Sequence, residues 1–286
     1  MTVDEKGMKA FAEQRANLAV YAAANLKIID KIGNEIFLRL NEAQTIIHDS
    51  FEDQLRRILR VRKIVVKARQ QGSSTYIGAR FYKKAASERG RKVFILTHED
   101  DATNNLFNMV DRFHKNNPLG ARGGRRNAKE LDFPGLNSSY AVGTAGSRES
   151  GRSGTSNLFH GSEVAFWPNA KSHFASSVQR VPDLPGTEVA LESTTNGVTG
   201  EFYERTQDAI GGIGDYEVVF IPWHIQEEYT RPDLVTEDFE LSDDKMVGSP
   251  SNGESLFSER EYADLFQISD AQMAWRRNKI NELKSI

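Results

Sequence analysis

The residues best suited to chemistry lie in Ile64-Val65-Val66-Lys67-Ala68-Arg69-Gln70-Gln71-Gly72-Ser73-Ser74-Thr75. An apolar run meets a small-residue loop, and a helical pattern follows. In a phosphate-binding loop of the form G-x-x-x-x-G-K-[ST], backbone N–H groups surround the phosphates, a lysine reaches their β and γ oxygens, and a hydroxyl holds Mg²⁺. Here Gly72 and Ser74 keep the last glycine and the hydroxyl in register, whereas Ser73 stands at the lysine position. Lys67 takes the slot of the first glycine, and its long stem can enter the loop from that side and reach the same phosphates. Arg69 is a second candidate for the same task. A strand-end lysine followed by a polar turn accounts for the same residues, so the strict motif does not decide.

A second acidic candidate lies in Thr155-Ser156-Asn157-Leu158-Phe159-His160-Gly161-Ser162-Glu163-Val164-Ala165-Phe166-Trp167. In phosphate-loop ATPases the corresponding strand ends in Asp-Glu: the Asp holds Mg²⁺ and the Glu orients or deprotonates the attacking water. Ser162 replaces the Asp and brings no charge, so metal affinity should lean on the nucleotide phosphates. Glu163 is the candidate general base, a role worth about 10²- to 10⁴-fold in rate. The competing reading makes Glu163 a cap on the next helix.

Further along, Ala190-Leu191-Glu192-Ser193-Thr194-Thr195-Asn196-Gly197 puts adjacent hydroxyls and an amide at a strand end. Ser193, Thr194 and Thr195 suit hydrogen bonding to a γ-phosphate, although an Asn196-Gly197 turn explains the last two residues equally well. Between the acidic segments lies Gly146-Ser147-Arg148-Glu149-Ser150-Gly151-Arg152-Ser153-Gly154, basic and glycine-rich. An arginine there would serve a neighbouring subunit's nucleotide, or stand as an ordinary surface residue.

Elements that would position these residues follow from periodicity. Helical spacing runs from Lys6 to about Lys31 and is broken at Gly33-Asn34; Asn41 is a plausible N-cap for a second helix. Buried strands are expected at Ile64–Val66, Val93–Leu96, Leu158–Phe159 and Val189–Leu191, with helices over Thr75–Ser87 and Asp100–His114. Strand and helix alternation implies βαβ units and a mainly parallel sheet, whose sites gather at the carboxyl ends of strands. Tyr216–Pro222 reads as one more strand, and Ser258–Leu283 as helix. The expected domains are residues 1–225, a main α/β domain with an N-terminal helical extension, and 226–286, a lid or linker.

Composition narrows the class. With 286 residues, 38% hydrophobic and 27% charged, the chain suits a globular protein with a substantial core. It has no cysteine, which excludes disulfides and thiolate metal sites, and its six histidines lack metal-ligand spacing. No apolar stretch approaches a membrane span. The net charge of −3 does not advertise nucleic acid, although Arg122-Gly123-Gly124-Arg125-Arg126-Asn127-Ala128-Lys129 suits a mobile phosphate-contacting loop.

Taken in order, these segments resemble the ATPase domain of large terminase subunits, the motors that package DNA into tailed-phage capsids. The resemblance covers Phe37 to roughly Pro222. It rests on Leu40-Asn41-Glu42-Ala43-Gln44, on the deviant Walker A at Lys67–Thr75, on Ser162–Trp167 as the Walker B end, and on Glu192–Gly197 as the coupling motif. It implies a P-loop NTPase fold of the ASCE, RecA-like kind, with a mainly parallel central sheet flanked by helices and a small C-terminal lid or linker. Gln44 would read the adenine edge, while Lys67, with Arg69, Gln70, Gln71, Gly72, Ser73, Ser74 and Thr75, would form the nucleotide cradle. Ser74 and Ser162 would serve the Mg²⁺ that accompanies ATP, Glu163 would be the catalytic carboxylate, and Ser193, Thr194 and Thr195 would couple hydrolysis to movement. Arg152, or failing it Arg148, looks like the trans-acting arginine finger.

The implied partners are double-stranded DNA, a portal protein and a small terminase subunit. The implied assembly is a homo-oligomeric ring at the procapsid portal in the cytoplasm of an infected bacterium, and the isolated chain is expected to be monomeric and slow. The family usually carries a C-terminal nuclease of ribonuclease H type, and too few residues follow Pro222 for one, so DNA cleavage is not expected of this chain. The alternative function is a non-hydrolysing DNA-binding or assembly module with a degenerate phosphate loop.

Overall fold

Short runs of aliphatic and β-branched residues become the strands of one eight-stranded sheet. The computed structural model describes residues 16–121, 123–146, 154–247 and 257–284. The chain divides into two units, Met1–Ile221 and Pro222–Ile286.

The first unit departs from its helical reading after Asn25. The Lys6–Arg15 part of the helical reading lies outside the described residues; helix α1 covers Leu18–Asn25, and the chain then forms a hairpin of β1 (Lys27–Ile29) and β2 (Glu35–Phe37). The expected continuation to Lys31 is therefore corrected. Asp30 accepts hydrogen bonds from the backbone of Ile32 and Asn34, and this Asx-type turn with Gly33 at φ 93° competes successfully with the helix. Helix α2 (Glu42–Ile58) starts as expected at Asn41, which forms a capping box with Gln44.

Strand β3 (Val61–Lys67) leads into helix α3 (Ser73–Ser87), and β4 (Lys92–Thr97) into α4 (Asp100–Asn116). The Arg122–Lys129 run is not a loop throughout: β5 (Gly124–Asn127) and β6 (Glu130–Phe133) form an antiparallel hairpin, joined to β7 (Ser138–Thr144). Arg125 pairs with Asp111 at 2.8 Å and Lys129 with Asp100 at 3.1 Å, so both cations are already engaged. After β8 (Leu158–Ser162) come α5 (Ala170–Val178), β9 (Glu188–Ser193), α6 (Glu201–Ile210) and β10 (Glu217–Ile221).

The sheet order is β10-β3-β9-β8-β4-β7-β6-β5, with the first six strands mutually parallel. Thus β9 lies between the phosphate-loop strand β3 and the acidic strand β8. Strand alternation gives the two faces different characters. Ile64, Val66, Phe94, Leu96, Phe159, Val189 and Leu191 share one face, where they pack with Trp167, Phe174 and Phe202. Residues of the opposite parity in β3, β9 and β8 include Lys63, Lys67, Glu188, Glu192, His160 and Ser162, all buried. Helix α3 crosses this polar ladder: its Ser74 bonds Glu192 near one end of β9, while Arg80 and Lys84 pair with Glu188 at the other, at 2.7 and 2.6 Å.

The second unit holds a short hairpin, β11 (Met246–Val247) with β12 (Phe257–Ser258), and helices α7 (Glu259–Phe266) and α8 (Asp270–Lys284). The single helix expected over Ser258–Leu283 is interrupted at Gln267, which adopts φ 53°; Ser269 then caps the next turn through Gln272. Ala263, Ile268 and Met273 form its small core, and Trp275 stacks between Tyr229 and Trp223. Among the described residues no helix is long and apolar enough to cross a membrane.

Candidate nucleotide site

Residues 68 to 72 form a tight loop because two positions adopt positive φ, Gln70 at 54° and Gly72 at 80°. Gln71 is fully buried and folds back so that its Oε1 accepts from the Ala68 N–H at 2.9 Å. On the outer side Asn41 Nδ2 donates to the Gln71 carbonyl at 3.4 Å, and Gln44 Nε2 donates to the Gly72 carbonyl at 2.9 Å. Gly72 stands at the N-cap of α3 and supplies no side-chain cap. The first N–H groups of a four-turn helix, at Ser73, Ser74 and Thr75, are therefore directed to the loop, an arrangement that favours an anion. Arg69 and Gln70 lie exposed on its rim.

The charged centre forms where β3, β9 and β8 end. Lys67 Nζ is 2.6 Å from Glu163 Oε1 and 3.1 Å from Glu192 Oε2. The lysine side chain is 7% exposed, Glu163 25% and Glu192 0%. Register explains the convergence: Glu192 lies opposite Val65 on one side and Ser162 on the other, and Lys67 follows Val65 by one pleat on the same face. The Glu192 Oε1 accepts hydrogen bonds from Ser74 Oγ at 2.5 Å and Ser162 Oγ at 2.8 Å, with His160 Nε2 at 3.4 Å.

Ionisation follows from these contacts. Burial opposes charge on Lys67, but the carboxylates of Glu192 and Glu163 outweigh it and hold the ammonium above its ordinary value. Burial likewise opposes charge on Glu192, and the Lys67 ammonium, with help from His160 and Ser74, reverses this and keeps the carboxyl well below the usual carboxylate range.

Glu163 sits just beyond β8 with φ 53°, at the entrance to a 3₁₀ turn over Val164–Phe166, and makes no side-chain capping bond there. Its second oxygen instead accepts from Ser193 Oγ and from the Thr194 N–H, each at 3.3 Å. The helix-cap alternative for this residue is thus not what the structure holds. The turn depends on Gly161, where a Cβ would lie 3.0 Å from Leu191, Trp167 and Val164. Thr195 is exposed and, with Asn196, borders a cavity of about 390 Å³ that also touches Val66, Ala165, Phe202 and Tyr203.

The structure therefore brings Lys67, Ser74, Ser162, Glu163, Ser193 and Thr194 together, and places Gly72, Ser73 and Thr75 at the adjoining helix start. Gln44 is buried against the loop, its amide oxygen bonded to the Asn41 N–H and its amide nitrogen to Gly72. Arg148 and Arg152 lie outside the described residues. Two members of the centre, Glu192 and His160, were not singled out from sequence. The available signal was a glutamate directly extending the apolar run Val189-Ala190-Leu191, since an ionised group in an inner strand needs a partner.

A parallel α/β sheet whose strand–loop–helix cradle lies one strand away from an acidic strand end defines the P-loop NTPase class. Within it, the fold is that of bacteriophage large terminase ATPase domains. The HK97 bacteriophage large terminase matches with a TM-score of 0.58 at 13% identity, over 80% of this chain and 45% of that one. The large terminase ATPase domain of Thermus phage P74-26 matches with a TM-score of 0.50 at 17% identity, over 66% of this chain and 83% of that one. The chain thus spans just under half the length of the HK97 protein. By sequence, no family model and no curated protein matches it.

Proposed function

We propose that this chain is the ATP-hydrolysing motor domain of a viral large terminase, driving double-stranded DNA into a procapsid. The observation that carries the reading is the contact of Lys67 with Glu163 at 2.6 Å beside an uncapped helix start, in a terminase ATPase fold. It puts a cation able to turn to a phosphate next to a carboxylate able to take a proton from water.

In this reading the Ser73–Thr75 amides hold the phosphates, and Lys67 exchanges its carboxylate partners for phosphate oxygens. That exchange frees Glu163 Oε1 to accept the proton of the attacking water, while Ser193 and the Thr194 N–H fix the other oxygen. Thr194 and Thr195 then communicate the state of the site to the segment beyond β9. Gln44 supports the loop from the adenine side. Mg²⁺ fits the donor set, since Ser74 and Ser162 supply hard oxygens and, among the described residues, no cluster of three His, Asp or Glu side chains competes for a softer metal. The ion would neutralise charge on the β and γ phosphates. Arg152, with Arg148 as the alternative, would reach a neighbouring subunit's nucleotide in a ring. Portal protein and small terminase subunit are the corresponding partners.

The test compares ATP binding by calorimetry with phosphate release, for the wild type and Glu163→Gln. Retained binding with turnover reduced about 10²-fold or more is expected. Equal turnover would remove Glu163 from the role. Absence of ATP binding in both would favour the non-hydrolysing DNA-binding module.

A further inference from the structure

Ser162 leaves the acidic strand without the charge that normally fixes a metal beside the phosphates, yet the structure does not lack that charge. It stands one strand away. Glu192 is wholly buried, and its Oε1 accepts from Ser74 and Ser162, the two hydroxyls on either side of it. Among the described residues its Oε2 has no hydrogen-bond partner, although Lys67 Nζ faces it at 3.1 Å as an ion pair. Both ring nitrogens of the fully buried His160 likewise lack a hydrogen bond. A buried carboxylate between two hydroxyls needs a counter-cation; Lys67 is that cation here, and once it turns to phosphate oxygens the carboxylate needs another.

We propose that Glu192 supplies the negative charge missing at Ser162, so that Ser74, Ser162 and Glu192 together seat the divalent cation that accompanies the nucleotide. This rests on the nucleotide-site reading above and deepens it. The insertion of β9 between β3 and β8 makes the substitution geometrically cheap, because Glu192 and Ser162 are register partners and their side chains occupy one row. Mg²⁺ retains several waters and takes few protein oxygens, so one carboxylate among two hydroxyls and the phosphates is sufficient. Lys67 pairs with the same carboxylate at 3.1 Å and so neighbours the proposed seat.

The experiment uses Mn²⁺ as the probe, followed by electron paramagnetic resonance with ADP present, and ADP binding in EDTA as a separate measurement. Glu192→Gln should weaken Mn²⁺ binding about 10- to 100-fold, while metal-free ADP affinity changes less than about threefold. Moving the charge back, in S162D/E192Q, should restore Mn²⁺ affinity to the wild-type range. Unchanged Mn²⁺ affinity in E192Q, with ADP still bound, overturns the assignment and leaves the nucleotide reading standing. Failure of wild type to bind ADP overturns both. Should E192Q not fold, S162D/E192Q carries the test, and loss of Mn²⁺ affinity there counts against the proposal.

Discussion

The Gly72 carbonyl accepts a 2.9 Å hydrogen bond from Gln44 Nε2, and a Cβ on Gly72 would lie 2.6 Å from that same nitrogen. The amide cannot swing away without giving up the Asn41 N–H that completes the α2 cap. Gly72→Ala therefore combines a clash with a residue forced to φ 80°, at about 1–3 kcal/mol. Thermal unfolding should fall by several degrees, and ATP affinity measured by calorimetry should fall with it. A melt identical to wild type would contradict this account of the loop.

Lys67 is the cation between Glu163 and a fully buried Glu192. Lys67→Met should destabilise the fold by about 3–5 kcal/mol at pH 7, because it strands a buried carboxylate. Denaturant titration at pH 7 and pH 5 should show the loss shrinking at the lower pH, as the stranded carboxyl gains a proton. K67M/E192Q should recover much of the stability. A double variant no more stable than K67M would show that the two residues are not coupled.

Glu163→Gln addresses chemistry in place of stability. Its carboxylate is partly exposed, and although it pairs with Lys67 at 2.6 Å, the amide oxygen of the variant can still accept from that ammonium while Glu192 keeps the lysine paired, so stability should fall by less than about 2 kcal/mol while turnover collapses. Parallel loss of both would make Glu163 a structural residue.

At the far end of β9, Glu188 is wholly buried; burial pushes its carboxyl up, and Arg80 and Lys84 more than reverse this, bringing it down to about 2. Its folded value lies below its unfolded one, so the stabilisation is complete above the ordinary carboxylate range and disappears as pH falls from about 4.5 towards 2. The contribution is on the order of 3 kcal/mol. Glu188→Gln should flatten stability against pH across that window and be less stable than wild type at pH 7. An unaltered acid limb would assign the acid sensitivity to other carboxylates.

Periodicity made the inner strands and their helices legible because β3, β4, β8 and β9 are apolar on at least one face. It placed Lys67 and Glu163 at strand ends, where the sites of a parallel sheet gather. Glu192 was harder to see, since its meaning depends on which strands are neighbours, and β9 pairs with a strand over 120 residues earlier. The β1–β2 hairpin was obscured by alanine-rich helical spacing upstream, and a side-chain turn at Asp30 outweighed it. β7 carries Tyr140-Ala141-Val142 among small polar residues, too weak an alternation to stand out, while β5 is written almost wholly in glycine and basic residues and drew its stability from pairing with β6.

The placement of β3 also sets an order of assembly. Its two neighbours are β9 and β10, so both of its edges stay unpaired until Ser193, 126 residues beyond Lys67, has been synthesised. At roughly 5–20 residues per second that interval is on the order of 6 to 25 s. Throughout it an apolar strand, Ile64-Val65-Val66, waits with open hydrogen-bonding edges, the condition under which nascent chains mispair or recruit holding chaperones. The cradle strand is thus among the first made and among the last to find its place.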